Sequence, residues 1–301
     1  MAVTLTQLTA FLTVVRRGSV TAAAEELVVT QPSVSAAVSA LERELGVTLT
    51  ERAGRTVRPT AAGAAYAAYA SDVLGLLDQG ARVAREAAGE ESHTLRVSAV
   101  TTAGEYLAPQ LIQAFSESRP ELQISLDVGN RERVFQSVLD HDVDVAITGR
   151  IPEDERLTGD AFADNEFVLI TAPGDPLAKR PWVAVEELAG RPWLLREDGS
   201  GTRTMCEEWL AGRGLDPTIL TLGSNGAIKQ AARAGLGLAL QSRVAVELEL
   251  SLGVLDTISP RGGLPERRWH VVRSAVGPVR PEVEAFMSFC ASKAARHVLA
   301  R

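Results

Sequence analysis

Apolar residues recur at helical spacing from the start of the chain. Leu5, Leu8, Phe11, Leu12 and Val15 fall about three and four apart, which predicts an amphipathic helix with one buried stripe. Ser19 is placed to cap a second helix. Its Ala22, Ala23 and Ala24 are small enough for a neighbouring helix to approach closely, and Leu27 ends the apolar face. After Val28 and Val29, Thr30 can cap a third helix with Pro32 in its first turn, where a missing N–H is not needed. Val34, Val38, Leu41 and Leu45 then recur at four, three and four and fix that helix's buried face. Gln31, Ser33, Ser35 and Ser39 stay outside the stripe. Two short helices joined by a tight turn, with small polar residues on the second, have the layout of a helix-turn-helix, whose third-helix start is sized to meet base edges and phosphates. An ordinary three-helix packing unit has the same periodicity, and on spacing alone both readings stand.

The pattern changes after Gly46. Arg52, Arg55 and Arg58 stand at three-residue intervals around Gly54, the spacing of a short hairpin or wing suited to phosphates, and equally of a solvated basic loop. Thr60 can cap a long Ala-rich helix to about Ala88, some 40 Å at 1.5 Å per residue. Its stripe of Tyr66, Tyr69, Val73, Leu76, Leu77, Gly80 and Val83 is too long to leave wet. A twin helix from a second chain would cover it, as would the chain's own C-terminal body. Gly89 to His93 form a polar hinge. Beyond it the spacing predicts strand 95–100, helix 106–118, strand 122–128, helix 131–140 and strand 143–148, a βαβαβ run that calls for a mostly parallel sheet covered by helices. Later strands are expected at 167–172, 236–241 and 269–273, with helices at 225–234 and 281–296.

Composition narrows the function classes. The chain is net −7, and residues 1–60 carry six Arg against five acidic residues, a local balance of +1, so an extended nucleic-acid channel or basic tail is not expected. A few directed arginines suffice to set register on a short duplex. There is no eighteen-residue apolar run and no basic segment followed by an apolar core, so neither a membrane nor an export signal is expected, and the cytoplasm is the natural compartment. Two cysteines far apart, Cys206 and Cys290, suggest neither a disulfide framework nor a thiolate metal cluster. His93, His141, His270 and His297 lack metal-ligand spacing, Ser200 sits outside any nucleophile elbow, and no cofactor is expected.

Gly18-Ser19, Ala22-Ala23, Leu27, Thr30-Gln31-Pro32-Ser33-Val34-Ser35, Leu41-Glu42, Glu44-Leu45-Gly46, Leu49, Arg52, Thr60 and Gly63 together resemble the N-terminal signature of LysR-type transcriptional regulators. The chain departs from that family at Thr50, where a Phe is usual, and at Ala36, Ala37 and Ser39, where basic or amide residues are frequent. The resemblance implies an α/β regulatory region of two lobes, like a periplasmic binding protein, preceded by an all-α winged helix-turn-helix domain and a long linker helix. It implies a DNA-binding head at 1–59, a linker and dimerisation helix at 60–88, a hinge at 89–93, lobe one at 94–163 with 268–301, and lobe two at 164–267. It also implies a homodimer, assembling further into a homotetramer, on a double-stranded operator. Thr30, Gln31, Pro32, Ser33 and Ser35 would meet the major groove, and Arg52, Arg55 and Arg58 the backbone.

A cleft between two such lobes would be lined by strand ends and helix starts. Thr101 and Thr102 stand where the first strand gives way to its helix, and Thr148 ends another strand. Ser200, Gly201, Thr202 and Arg203 add hydroxyls, close backbone approach and a fixed charge from the other lobe. Asn130 and Asn225 are further candidates. These groups favour a small anion, a carboxylate or a phosphate, and hence a ligand-responsive regulator of a metabolic or biosynthetic operon. The alternative is a small-molecule-modifying enzyme with a helical dimerisation arm; a stand-alone transport-binding protein would account for the last two-thirds only.

Overall fold

A computed structural model describes residues 3–299, so the extreme ends of the first and last segments set out above, residues 1, 2, 300 and 301, lie outside the described residues. Internal contacts divide the chain into an N-terminal unit, up to residue 92 and including 139–142, and a second unit made of the rest from residue 93 onward.

Local chemistry starts each helix of the N-terminal unit. α1 (Leu5–Arg17) opens on Thr4, whose hydroxyl accepts from the Gln7 N–H at 3.3 Å while the Gln7 side chain accepts the Thr4 N–H at 2.8 Å. α2 (Val20–Glu26) and α3 (Gln31–Leu45) open on Ser19 and Thr30, the caps that the spacing predicts. Leu8, Phe11, Val14, Ala23, Ala24, Val34, Val38 and Leu41 close one core, with Leu45 at its edge. The domain is not all-α. β1 (Thr50–Ala53) and β2 (Thr56–Pro59) form an antiparallel hairpin, tied to the end of α1 where the Val57 N–H donates to the Gly18 carbonyl at 2.8 Å. Thr50 is held by the Glu42 carboxylate, which accepts from its N–H at 3.0 Å and its hydroxyl at 3.2 Å.

α4 (Ala61–Ala87) is capped by Thr60, whose hydroxyl accepts the Gly63 N–H at 2.9 Å. Gly63 lies so close to the Leu49 carbonyl that a Cβ would stand 1.9 Å from its oxygen, so only glycine fits there. The apolar stripe of this helix divides. Tyr66, Ala67, Ala70 and Leu74 pack into the core of the N-terminal unit, Tyr66 with its ring 6.0 Å from Phe11, whereas Tyr69, Val73, Leu77 and Val83 are exposed. Tyr66 therefore serves the chain's own head and not the face left uncovered.

In the second unit the first lobe is built on β3 (Thr94–Val100), α5 (Thr101–Tyr106), α6 (Ala108–Ser118), β4 (Gln123–Gly129), α7 (Arg131–Leu139), β5 (Val145–Thr148) and β6 (Leu157–Asn165). The chain then runs through β7 (Phe167–Thr171), β8 (Trp193–Leu195), α8 (Gly201–Ala211), β9 (Ile219–Thr221), α9 (Asn225–Arg233), β10 (Ala239–Ser242), α10 (Glu247–Ser251) and β11 (Asp256–Ile258). It returns as β12 (Arg267–Ser274), α11 (Pro281–Ala291) and α12 (Lys293–Leu299). The first sheet has the order β4-β3-β5-β12-β6. β4, β3, β5 and β6 run in one direction, as expected of a mostly parallel sheet, and β12 alone runs against them, pairing antiparallel with both β5 and β6.

The second lobe departs from that expectation. Its sheet, β10-β7-β11, is antiparallel, with β8 and β9 as a parallel pair beside it. Every residue of β7 is buried, Phe167 and Leu169 facing one core with Trp193 and Trp209, Val168 and Ile170 facing another with Ile228 and Leu255. A strand buried on both faces reads as a continuous apolar run. The helix expected from Tyr106 begins five residues earlier, at Thr101, and breaks before Pro109. The helix expected over 281–296 breaks at Ser292, whose side chain caps Ala295.

Candidate DNA-reading head and effector cleft

Gln31, Pro32, Ser33 and Ser35 are exposed at the start of α3, on the side away from Val34, Val38 and Leu41. The Thr30 hydroxyl accepts the Ser33 N–H at 3.3 Å and lies 2.8 Å from the Ser33 hydroxyl, so both side chains have their positions fixed before any duplex arrives. The remaining free N–H groups of the first turn and the exposed side chains can meet phosphate and base edges. The hairpin arginines are exposed, but they do not share a face. The register sets Arg58 opposite Glu51 and Arg52 opposite Val57, so Arg52 and Arg58 point to opposite sides while Arg55 stands in the turn beside Gly54. Neighbouring Glu51 offsets part of the charge of Arg58.

In the second unit Thr101, Thr102, Asn130, Thr148, Ser200, Gly201 and Thr202 line one small cavity of about 30 Å³. That is room for about one water molecule. The Thr101 hydroxyl donates to the Gly129 carbonyl at 3.2 Å, and the Asn130 side-chain oxygen accepts the Arg133 N–H at 2.9 Å. Val100, Asn165, Arg131, Arg196, Ser242, Arg267 and Trp269, none of them singled out in the sequence, complete the lining together with Gly149. Among them the Ser242 hydroxyl and the Asn165 side chain satisfy one another at 2.6 Å. Three buried polar atoms of the lining have no hydrogen-bond partner among the described residues: Thr148 Oγ1, Arg267 Nε and Trp269 Nε1. Beside the cavity opens a groove of about 1780 Å³, which shares with it Arg131, Gly149, Asn165, Gly201 and Arg267.

Two expected residues do not line the cavity. The Arg203 guanidinium turns along α8 to Glu207 at 2.8 Å, to Asp198 at 3.2 Å and to the Arg196 carbonyl at 3.0 Å; one helical turn carries its side chain away from the glycine loop. Asn225 is fully buried behind the wall. Its oxygen accepts from Arg196 at 2.6 Å, and its amide donates to Glu105 at 2.8 Å and to Thr102 at 3.4 Å. Arg196, also buried, forms a forked pair with the Glu197 carboxylate at 2.7 and 2.8 Å. An Arg-Arg-Trp run opening a late strand, residues 267–269, was the signal available for Arg267 and Trp269.

Cys206 and Cys290 are buried and unbonded, and burial pushes each thiol up to about 12. No helix among the described residues is long and apolar enough to cross a membrane.

Head and body together define a transcription regulator that joins a DNA-reading unit to an α/β ligand-binding unit. Residues 5–64 match the bacterial regulatory helix-turn-helix protein, lysR family, and residues 88–295 match the LysR substrate binding domain. The chain belongs to the LysR family. It is 36% identical over 299 residues to the RuBisCO operon transcriptional regulator of Allochromatium vinosum, covering 98% of each chain. It is 35% identical over 301 residues to the HTH-type transcriptional regulator CbbR of Sinorhizobium medicae, covering 98% of this chain and 95% of that one. Among solved structures, the Synechocystis PCC6803 CcmR regulatory domain in complex with 2-PG has a TM-score of 0.63 at 29% identity, over 66% of this chain and 96% of that one. The family replaces the modifying-enzyme alternative: the chain is a DNA-binding transcriptional regulator.

Proposed function

We propose that the chain binds a palindromic operator as a homodimer and changes its hold on that DNA when a small anionic metabolite binds in the cleft formed by the small cavity and the groove that opens beside it. The observation that carries the reading is the convergence of three partnerless buried groups, Thr148 Oγ1, Arg267 Nε and Trp269 Nε1, on one cavity. Buried donors are nearly always satisfied, and an indole or a guanidinium N–H can only donate, so an acceptor-rich ligand is what they lack. The hydroxyls of Thr101, Thr102, Ser200 and Thr202 suit the same ligand. Relatedness to a domain in complex with 2-PG, and to regulators of RuBisCO operons, supports a phosphorylated or carboxylated metabolite and a carbon-metabolism operon.

In this reading residues 1–59 are the head, 60–88 the linker and dimerisation helix, 89–93 the hinge, 94–163 with 268–301 lobe one and 164–267 lobe two. Thr30, Gln31, Pro32, Ser33 and Ser35 read the major groove, and Arg52, Arg55 and Arg58 hold the backbone. The exposed Tyr69, Val73, Leu77 and Val83 of α4 meet a second copy, which sets two heads on two half-sites, and a further self-contact through the α/β units makes the homotetramer. A regulator of this kind acts in the cytoplasm, where the chromosome is. A gel-shift titration on DNA upstream of its own gene, with and without phosphorylated and carboxylated metabolites, tests the reading. A ligand-dependent change in affinity or footprint is expected, and operator binding indifferent to every anion would refute the sensing half.

A further inference from the structure

Helix α7 begins in the wall of the cleft and ends on a different part of the chain. Asn130, which precedes it, and Arg131, its first residue, line the small cavity, and the Asn130 side-chain oxygen accepts the Arg133 N–H at 2.9 Å. Its last residue, Leu139, and the turn that follows, residues 140–142, belong by their contacts to the N-terminal unit. There the turn sits on α4. The Asp140 carboxylate accepts the Ser71 hydroxyl, and His141 Nε2 lies 3.1 Å from the Asp72 carboxylate. The His141 and Asp72 side chains are both largely buried.

Two further features set this contact apart from a chance surface touch. α4 carries Gly75 beneath the turn: a Cβ there would stand 2.6 Å from the Asp140 carbonyl oxygen and 2.7 Å from the His141 Cβ, so the helix is notched where the turn lies. His141 is held at φ +59, a left-handed conformation that residues other than glycine adopt at a cost and keep only where their surroundings impose it. The hinge at 89–93 is built in the opposite way. It is exposed at every residue and opens on Gly89 at φ +72, and a segment so little packed transmits displacement poorly.

We propose that the seat of residues 139–142 on α4 is the coupling point through which α7 carries the state of the cleft to the reading head. The inference rests on reading the cleft as the effector site and α4 as the linker helix. Nine helical residues make a rod of about 14 Å, so a shift at Asn130 arrives at His141 instead of being absorbed on the way. The turn has one notch to occupy, and a shift either keeps it seated or lifts it. A contact with two such arrangements is an element that ligand and DNA can both bias.

Fluorescence anisotropy of the full chain on DNA upstream of its own gene, with and without phosphoglycolate, reads the coupling, and calorimetry reads phosphoglycolate binding itself. In the wild type phosphoglycolate should change operator affinity by about fivefold or more. His141→Asn removes the imidazole and keeps a residue that tolerates the left-handed turn, while Gly75→Ala fills the notch. Each variant should bind phosphoglycolate, and the operator without it, within about threefold of the wild type, yet reduce the ligand-caused change to under about twofold. A merely structural role would weaken both affinities and leave their coupling intact. The full change retained in both variants would overturn the proposal and leave the sensing cleft standing. If phosphoglycolate leaves the wild type indifferent, the sensing reading fails for that probe, and a ligand-free comparison decides the coupling. Asn130→Ala uncaps α7 and should shift operator affinity by about threefold or more in the wild type, and by under about twofold when combined with His141→Asn. Equal shifts in both backgrounds, or none in either, would overturn the coupling, because residues this far apart otherwise act additively.

Discussion

Asn225 in α9 donates to the Glu105 carboxylate in α5 at 2.8 Å, a bond that runs from the second lobe of the α/β unit to the first. The oxygen of the same side chain accepts from Arg196, so Asn225 is the buried middle of a chain of polar groups that runs from buried Arg196 to exposed Glu105 along the wall of the cleft. Asn225→Ala would strand the buried Arg196 Nη1, while the exposed Glu105 carboxylate would turn to water. A loss of about 1–3 kcal/mol in denaturant unfolding is expected, because a buried group left unpaired forfeits its desolvation. Basal operator affinity should hold within about threefold while the shift caused by ligand shrinks, since that bond biases how the lobes meet. An unchanged unfolding midpoint would mean that the chain of bonds contributes nothing.

The head separates positioning from reading. Gln31→Ala or Ser33→Ala should reduce discrimination between operator variants by about 1–3 kcal/mol for each base-edge hydrogen bond removed, whereas Arg52→Ala and Arg55→Ala should weaken all duplexes alike and lower the salt slope of binding by about one each. Arg58→Ala should do less than either, because Glu51 faces it across the hairpin. Fluorescence anisotropy at several salt concentrations reads all of these. A larger effect of Arg58→Ala than of Arg52→Ala would mean that Glu51 does not offset the charge it faces.

Charge on the exposed face of α4 should break assembly. Val73→Asp with Leu77→Asp leaves the core of the head untouched, since the residues that pack there are Tyr66, Ala67, Ala70 and Leu74. Sedimentation should report loss of dimer, and operator affinity should fall with it. An intact dimer would place the self-contact elsewhere.

The turn between α2 and α3 holds a strained residue. Val28 has φ +56 and is 89% exposed, so it bears the left-handed backbone penalty of a β-branched side chain and gains little from packing. Val28→Asn keeps the turn with a residue that tolerates this conformation. It should stabilise the chain by about 1 kcal/mol, read as a rise in Tm. A fall would show that the valine makes a contribution that its exposure hides.

Burial raises both thiols, so at physiological pH each is neutral, and the thiolate that reacts with disulfides is scarce. Native protein should resist Ellman's reagent at pH 8, and two thiols should titrate after unfolding in guanidinium. Prompt reaction of one thiol in the native state would contradict the burial.

Legibility followed range. Ser19, Thr30 and Thr60 cap their helices as their positions in the sequence indicate, because a cap acts on an N–H two or three residues away. The end of the first strand at Thr101 was visible for the same reason, although its helix was expected five residues late, and the helix that opens after Ser200 was not expected at all. Arg203 shows the limit of that proximity: it sits next to the glycine loop in sequence, and the turn of α8 takes it to Glu207. Arg267 reaches Gly201 across 66 residues and Gly149 across a longer span, and no local pattern encodes such a meeting. The antiparallel placement of β12 was hidden likewise, and β6, with its interior polar residues, was not recognisable as a strand at all.

The order of the first sheet also dictates how the protein is made. Among the described strands β12 is the last to leave the ribosome, yet it is the sole partner of β6 and lies between β6 and β5. While everything from β7 to β11 is being synthesised, β5 has an open edge and β6 has no neighbour, so the nascent chain carries two unpaired strands that can recruit other chains. The head can fold long before that moment, its core being closed by residues up to 74. A message truncated before residue 267 would therefore yield a folded DNA reader attached to an aggregation-prone body, and intact folding depends on β12 arriving in time.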